Sequence, residues 1–120
     1  MELEVGMYVR IQWGNGEQTI SKCTNKVDMG DTQYSNNDFY IHTDKKGEVI
    51  YKSMILKASH NIIDLIEVGD YVNGVMVTEI KDGKPFKEDY NDPYYSYYFD
   101  DIYSIVTKEQ FESMSYKVGE

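Results

Sequence analysis

Cys23, His42 and His60 are the soft metal-ligand side chains of this 120-residue chain. Metal sites need convergent ligands at characteristic spacings. The three residues form no CxxC, HxxxH or HExxH pattern, so they read as structural and no metal is expected. Carboxylates are abundant. Asp64, Glu67 and Asp70 fall within one short stretch, and Asp100 and Asp101 are adjacent. General acid–base chemistry needs a pocket that drives two pKa values apart, and no motif here announces one. There is no G-x-S-x-G elbow. Gly14-Asn15-Gly16 lacks the third glycine and following helix of a phosphate cradle, so it reads as a turn. Asp28, Asp31, Asn36, Asn37 and Asp38 are oxygen donors without EF-hand spacing or its closing Glu. They read as a polar loop. No catalytic residue and no cofactor is expected.

The most unusual composition runs from Glu88 to Tyr103. It holds six of the twelve tyrosines and five carboxylates, with no Lys or Arg. Tyrosine offers large amphipathic contact area at low entropic cost and is enriched in binding surfaces. Flat rings beside carboxylates imitate stacked bases beside phosphates, and would suit a cationic groove that normally holds nucleic acid. The candidate partner-binding residues are therefore Glu88, Asp89, Tyr90, Asp92, Tyr94, Tyr95, Tyr97, Tyr98, Asp100 and Asp101. The competing reading has alternate tyrosines lining a core, with their hydroxyls reaching water or backbone. Pro93 argues against a continuous central strand there, because it cannot donate a ladder hydrogen bond. Tyr34, Tyr40 and Trp13 form a second aromatic set, read as core packing.

Charge sharpens the first reading. Residues 1–57 hold 7 basic and 8 acidic residues, whereas residues 58–120 hold 5 basic and 13 acidic ones. The second part is thus a one-sign surface that repels phosphate and attracts a basic partner, with a salt-sensitive on-rate. The lone cysteine excludes an internal disulfide framework and fits a reducing cytosol. No apolar run approaches a membrane span and no signal-peptide pattern stands at the start, so a cytoplasmic protein is expected.

The elements that must hold these residues repeat along the chain. Glu4-Val5-Gly6-Met7-Tyr8-Val9 recurs as Glu67-Val68-Gly69-Asp70-Tyr71-Val72. A second echo pairs Ile55-Leu56 with Ile105-Val106. Fixed-offset similarity signals duplicated units. Residues 7–13 alternate as a strand, turn at Gly14-Asn15-Gly16 and return over 17–23. Residues 28–37 read as a loop. Residues 39–42 and 49–51 flank a hairpin turn at 44–47. Asn61 caps a short helical turn over 62–66. The second unit carries an Asn73-Gly74 turn, a strand over 75–80, a turn at 81–84, an irregular segment over 86–101 and a strand over 102–106. Thr107 and Gln110 have capping-box spacing for a helix to about Tyr116, with Phe111 and Met114 facing inward.

Val-Gly followed by Tyr-Val also opens many small SH3-like barrels. The expected fold is mainly β with short helices: two tandem SH3-like barrel modules, 1–66 and 67–120, the second ending in a short helix. One continuous β-sandwich is the alternative. An exposed strand edge on either barrel would allow pairing with a second copy.

The chain resembles a family of small uncharacterised phage and prophage proteins of Gram-positive bacteria. The resemblance rests on the start through Val5-Gly6-Met7-Tyr8-Val9-Arg10, the centre Ile55–Gly74 and the end Ser104–Val118. It implies no catalytic residues. Two segments depart from the family pattern: Ile11–Gly16 and the stretch from Glu79 to Asp101. If the common blocks are scaffold, individual specificity sits in these two. Small, acidic phage proteins are similar in type to inhibitors of host defence, anti-CRISPR proteins above all. The expectation is a non-enzymatic inhibitor that enters the cationic channel of an RNA-guided nuclease. The alternatives are a small-ligand sponge for a nucleotide messenger, for which Arg10 is the only arginine, and a structural or transcription-regulatory phage adaptor.

Overall fold

The structure, a computed structural model, describes residues 2–30, 38–89, 92–98 and 102–114, with 88–89 and 92–98 described as backbone. The fold is mainly β with one short C-terminal helix. The first sheet is built from β1 (Tyr8–Gln12), β2 (Gln18–Gly30), β3 (Asp38–Thr43), β4 (Val49–Tyr51) and β5 (Ile55–Ser59). Its order is β4-β3-β2-β1-β5, antiparallel throughout. A 3-10 turn over Lys52–Met54 leads into β5, and a second over Ile62–Leu65 follows it. Alternation is clean in β3, where Phe39, Ile41 and Thr43 are buried. With Leu3, Val9, Ile11, Cys23, Ile50 and Ile55, Phe39 and Ile41 form the larger core, each full aliphatic burial being worth about 1.5–3 kcal/mol.

The second half is built from β6 (Tyr71–Val72), β7 (Val75–Met76), β8 (Glu79–Lys81), β9 (Lys84–Asp89), β10 (Asp92–Tyr98) and β11 (Ile105–Val106), then α1 (Lys108–Met114). Its sheets have orders β11-β6-β7 and β10-β9-β8. Ile66, Val72 and Val77 form a second buried cluster.

The sequence repeat makes the same local structure twice. Gly6 and Gly69 both stand at φ +97°, a backbone region that suits a residue without Cβ. Met7 N donates to Glu4 O at 3.1 Å, and Asp70 N donates to Glu67 O at 3.0 Å. Leu3 and Ile66 are buried, Val5 and Val68 are half exposed, and Val9 and Val72 are fully buried.

The likeness extends to the partner strand. Gly6 N donates to Cys23 O at 2.9 Å, and Cys23 N donates to Met7 O at 2.8 Å. Gly69 N donates to Val77 O at 2.9 Å, and Val77 N donates to Asp70 O at 2.8 Å. Cys23 is also where β2 begins pairing with β3, opposite Thr43. The next residue after Val77, Thr78, donates to Phe86 O at 3.0 Å and so starts the ladder to β9. Both strands thus change partners at equivalent residues. With β7 and β8 counted as one interrupted strand, the second half has the strand order of the first. In each, the last strand (β5 or β11) returns antiparallel to the first (β1 or β6).

Several expectations change. The sheets are not closed into barrels: β4 and β5 are opposite edges of one open sheet. The expected loop over 28–37 starts later, because β2 continues in register with β3 as far as Gly30. The strand expected over 75–80 breaks at Val77-Thr78, where it changes partner. The segment expected to be irregular, 86–101, instead contains β9 and β10. Only Ile105-Val106 of 102–106 pair as a strand, because Tyr103 N and Ser104 N donate to the Asn73 side chain. Phe111 and Met114 do not face inward. They are 45% and 69% exposed, and Phe111 stacks on Tyr71 with ring centroids 4.2 Å apart.

Candidate interaction site and the buried charge cluster

Most of the candidate partner-binding residues lie on one hairpin. Glu88 and Asp89 end β9, and Asp92, Tyr94, Tyr95, Tyr97 and Tyr98 lie on β10. Tyr90, Asp100 and Asp101 lie outside the described residues. β10 is an edge strand, the location that tolerates Pro93. The register runs Tyr98 opposite Phe86, Tyr97 opposite Lys87 and Ser96 opposite Glu88, then jumps to Asp92 opposite Asp89. The jump places Pro93, Tyr94 and Tyr95 in an irregular insertion. The first-half counterpart of β10 is β4, which has three residues against seven.

The metal-ligand types do not converge. Cys23 is buried in the first core. His42 belongs to the opposite face of the sheet, where its ring meets Tyr40 edge-on at 5.7 Å. His60 Nε2 lies 3.0 Å from Glu4 Oε2 at the surface. Among the described residues, no group of three or more His, Cys, Asp or Glu is placed to hold a metal. Burial pushes the Cys23 thiol above its ordinary pKa, against opposing effects of the Asn25 backbone and the Lys26 charge. Tyr40 also meets Tyr51 edge-on at 6.2 Å, while Trp13 packs against the first core and donates to Thr19 Oγ1 at 3.0 Å.

The strongest polar constellation was not singled out by the residue types alone. Arg10 is fully buried between Val9 and Ile11. Its Nη1 donates to Asp70 Oδ2 at 2.6 Å and its Nη2 to Asp70 Oδ1 at 3.1 Å, a bidentate pair. Nη1 also donates to Leu65 O at 3.0 Å, and Nε to Gln18 Oε1 at 2.6 Å. Glu67 and Glu109 stand 3.3 and 3.4 Å away. Burial by itself pulls the Arg10 pKa down. The bond and charge of Asp70, with the charges of Glu67 and Glu109, outweigh it and hold the guanidinium above its ordinary value.

Asp70 is as fully committed. It also accepts from Glu67 N at 2.8 Å in the turn and from Lys108 N at 3.1 Å at the start of α1. Thr107 and Gln110 form the expected capping box: Thr107 N donates to Gln110 Oε1 at 3.0 Å, and Gln110 N to Thr107 Oγ1 at 3.1 Å. The Thr107 hydroxyl donates to Gln18 O at 2.5 Å. The cluster therefore joins the β1–β2 hairpin to the turn and helix of the second half. A sequence signal for it exists. Asp70 stands where the first repeat has Met7, and Arg10 stands where the second has Asn73.

Among the described residues no helix is long and apolar enough to cross a membrane. Compared with protein families, curated proteins and solved structures, the chain matches none.

Proposed function

We propose that this is a non-enzymatic binding protein of phage or prophage origin that acts in the host cytoplasm. It inhibits a host nucleic-acid-handling protein, an RNA-guided nuclease in the specific case, by occupying a cationic groove. Its recognition element is the hairpin of β9 and β10. The observation that carries the reading is an edge strand rich in tyrosine whose hairpin sets Asp89 opposite Asp92. Such a strand offers rings and negative charge to a basic partner. The resemblance to phage proteins supplies the host-defence setting. We further propose that each half is an SH3-like module. The shared strand order and the 3-10 turn before β5 support this.

The arrangement of Arg10 weighs against the messenger-sponge alternative. A phosphate site needs cationic donors, and the only arginine is already held by carboxylates in the interior.

The test is inhibition of target cleavage by a purified RNA-guided nuclease. The protein should block cleavage when added before guide RNA or target DNA. A variant with Asp92, Tyr94, Tyr95, Tyr97 and Tyr98 replaced by alanine should lose most of that inhibition. Full inhibition by this variant would refute the assigned site.

A further inference from the structure

The two halves meet unevenly. On one side, polar ties converge on a single hairpin: Arg10 reaches Asp70 and Glu109, and Thr107 reaches Gln18 O. On another, Tyr8, Ile20 and Ile62 are separated from Ile102 and Ile105 by an open groove of about 270 Å³. The ladders near this junction differ in length. β1 pairs with β2 over five residue pairs, whereas β6 pairs with β7 and with β11 over two each. Short ladders and an open groove at the junction lower local stability. A buried charge pair at the junction makes docking sensitive to one contact, because removing one partner strands the other charge.

We infer that the Arg10–Asp70 pair is a latch, and that the second half unfolds as a unit while the first sheet stays folded. The β9–β10 hairpin belongs to the half that unfolds. The latch stands whatever the hairpin binds, and its test does not involve a partner.

The repeat supplies an internal control. Cys23 N–H and Val77 N–H make the same bond, each 2.8 Å, to equivalent carbonyls at Met7 and Asp70. Amide hydrogen exchange on the full chain, corrected for intrinsic rates, should find Val77 exchanging at least tenfold faster than Cys23. Asp70→Asn should speed Val77 by a further tenfold or more and leave Cys23 within about threefold. Glu109→Gln, which removes only the negative charge at the longer 3.4 Å contact, should speed Val77 by a few-fold. If Asp70→Asn does not fold, the wild-type ratio and Glu109→Gln decide. Equal exchange at the two amides, or acceleration of both together in a folded variant, would overturn the latch.

Discussion

Arg10 and Asp70, sixty positions apart in the chain, form a bidentate ion pair in which both side chains are fully buried. In the sequence repeat Asp70 aligns with Met7 and Arg10 with Asn73, three positions apart. Each copy contributes one charge where the other copy has an uncharged residue. Asp70→Asn should destabilise the protein by about 3–5 kcal/mol, because it strands a buried guanidinium. Arg10→Met should cost less, since Asp70 keeps its two backbone donors. Urea midpoints of the two variants check the order. A cost below about 1 kcal/mol for Asp70→Asn would show that Glu67 and Glu109 suffice.

The start of α1 gives a second prediction. Thr107 caps the helix and also bonds Gln18 O across the junction. Thr107→Ala should cost about 1–2 kcal/mol, the range of a lost cap. Thr107→Ser keeps the hydroxyl and should recover most of it. Thermal melts distinguish the two. Equal losses would mean that the methyl group, not the hydroxyl, carries the effect.

Gly6 and Gly69 test the repeat itself. Both stand at φ +97°, so alanine is strained at either position and should cost about 1–2 kcal/mol. A Cβ at Gly6 meets no atom within 4 Å, whereas at Gly69 it lies 3.1 Å from Lys108 Cδ. The lysine stem can move aside. The two costs should therefore agree within about 0.5 kcal/mol, with Gly69→Ala the larger, as read by chemical denaturation.

Cys23 is a core residue in the place that Val77 holds in the second half. Its thiol should resist alkylation in the native protein and react readily in denaturant, as followed by mass spectrometry. Because burial raises its pKa, the fold favours the neutral thiol. That stabilisation is present below the ordinary thiol range of about 8–9 and is lost as pH rises through the higher folded value. Cys23→Val should fold with a stability change below about 1.5 kcal/mol and remove this alkaline component. An unchanged pH profile in Cys23→Val would contradict the assignment.

Local features were the legible part of this sequence. The hairpin turns at 14–16, 44–47 and 82–83, the Asn61 cap and the Thr107–Gln110 box all follow from residues close in the chain. Two kinds of feature were not. The partner change at Cys23 and Val77 depends on which strand lies alongside, and no local propensity encodes that. The burial of Arg10 depends on Asp70 and Glu109, which only the tertiary fold brings near. Phe111 and Met114 have inward-facing spacing, but the helix is seated by its capped start and by Tyr71, which leaves both exposed. For the tyrosine-rich segment, composition singled out a candidate. The edge position of β10 and the facing aspartates came from the register.

We propose above that an acidic, tyrosine-bearing hairpin binds a basic partner. The most direct measurement is the affinity for a purified, guide-free RNA-guided nuclease at about 50 mM and 300 mM salt, for the native chain and for the variant with Asp92, Tyr94, Tyr95, Tyr97 and Tyr98 replaced by alanine. Native binding should weaken at least tenfold at the higher salt, and the variant should bind at least tenfold more weakly at either concentration. Salt-independent binding, equal affinity of the two proteins or no binding at all would contradict it.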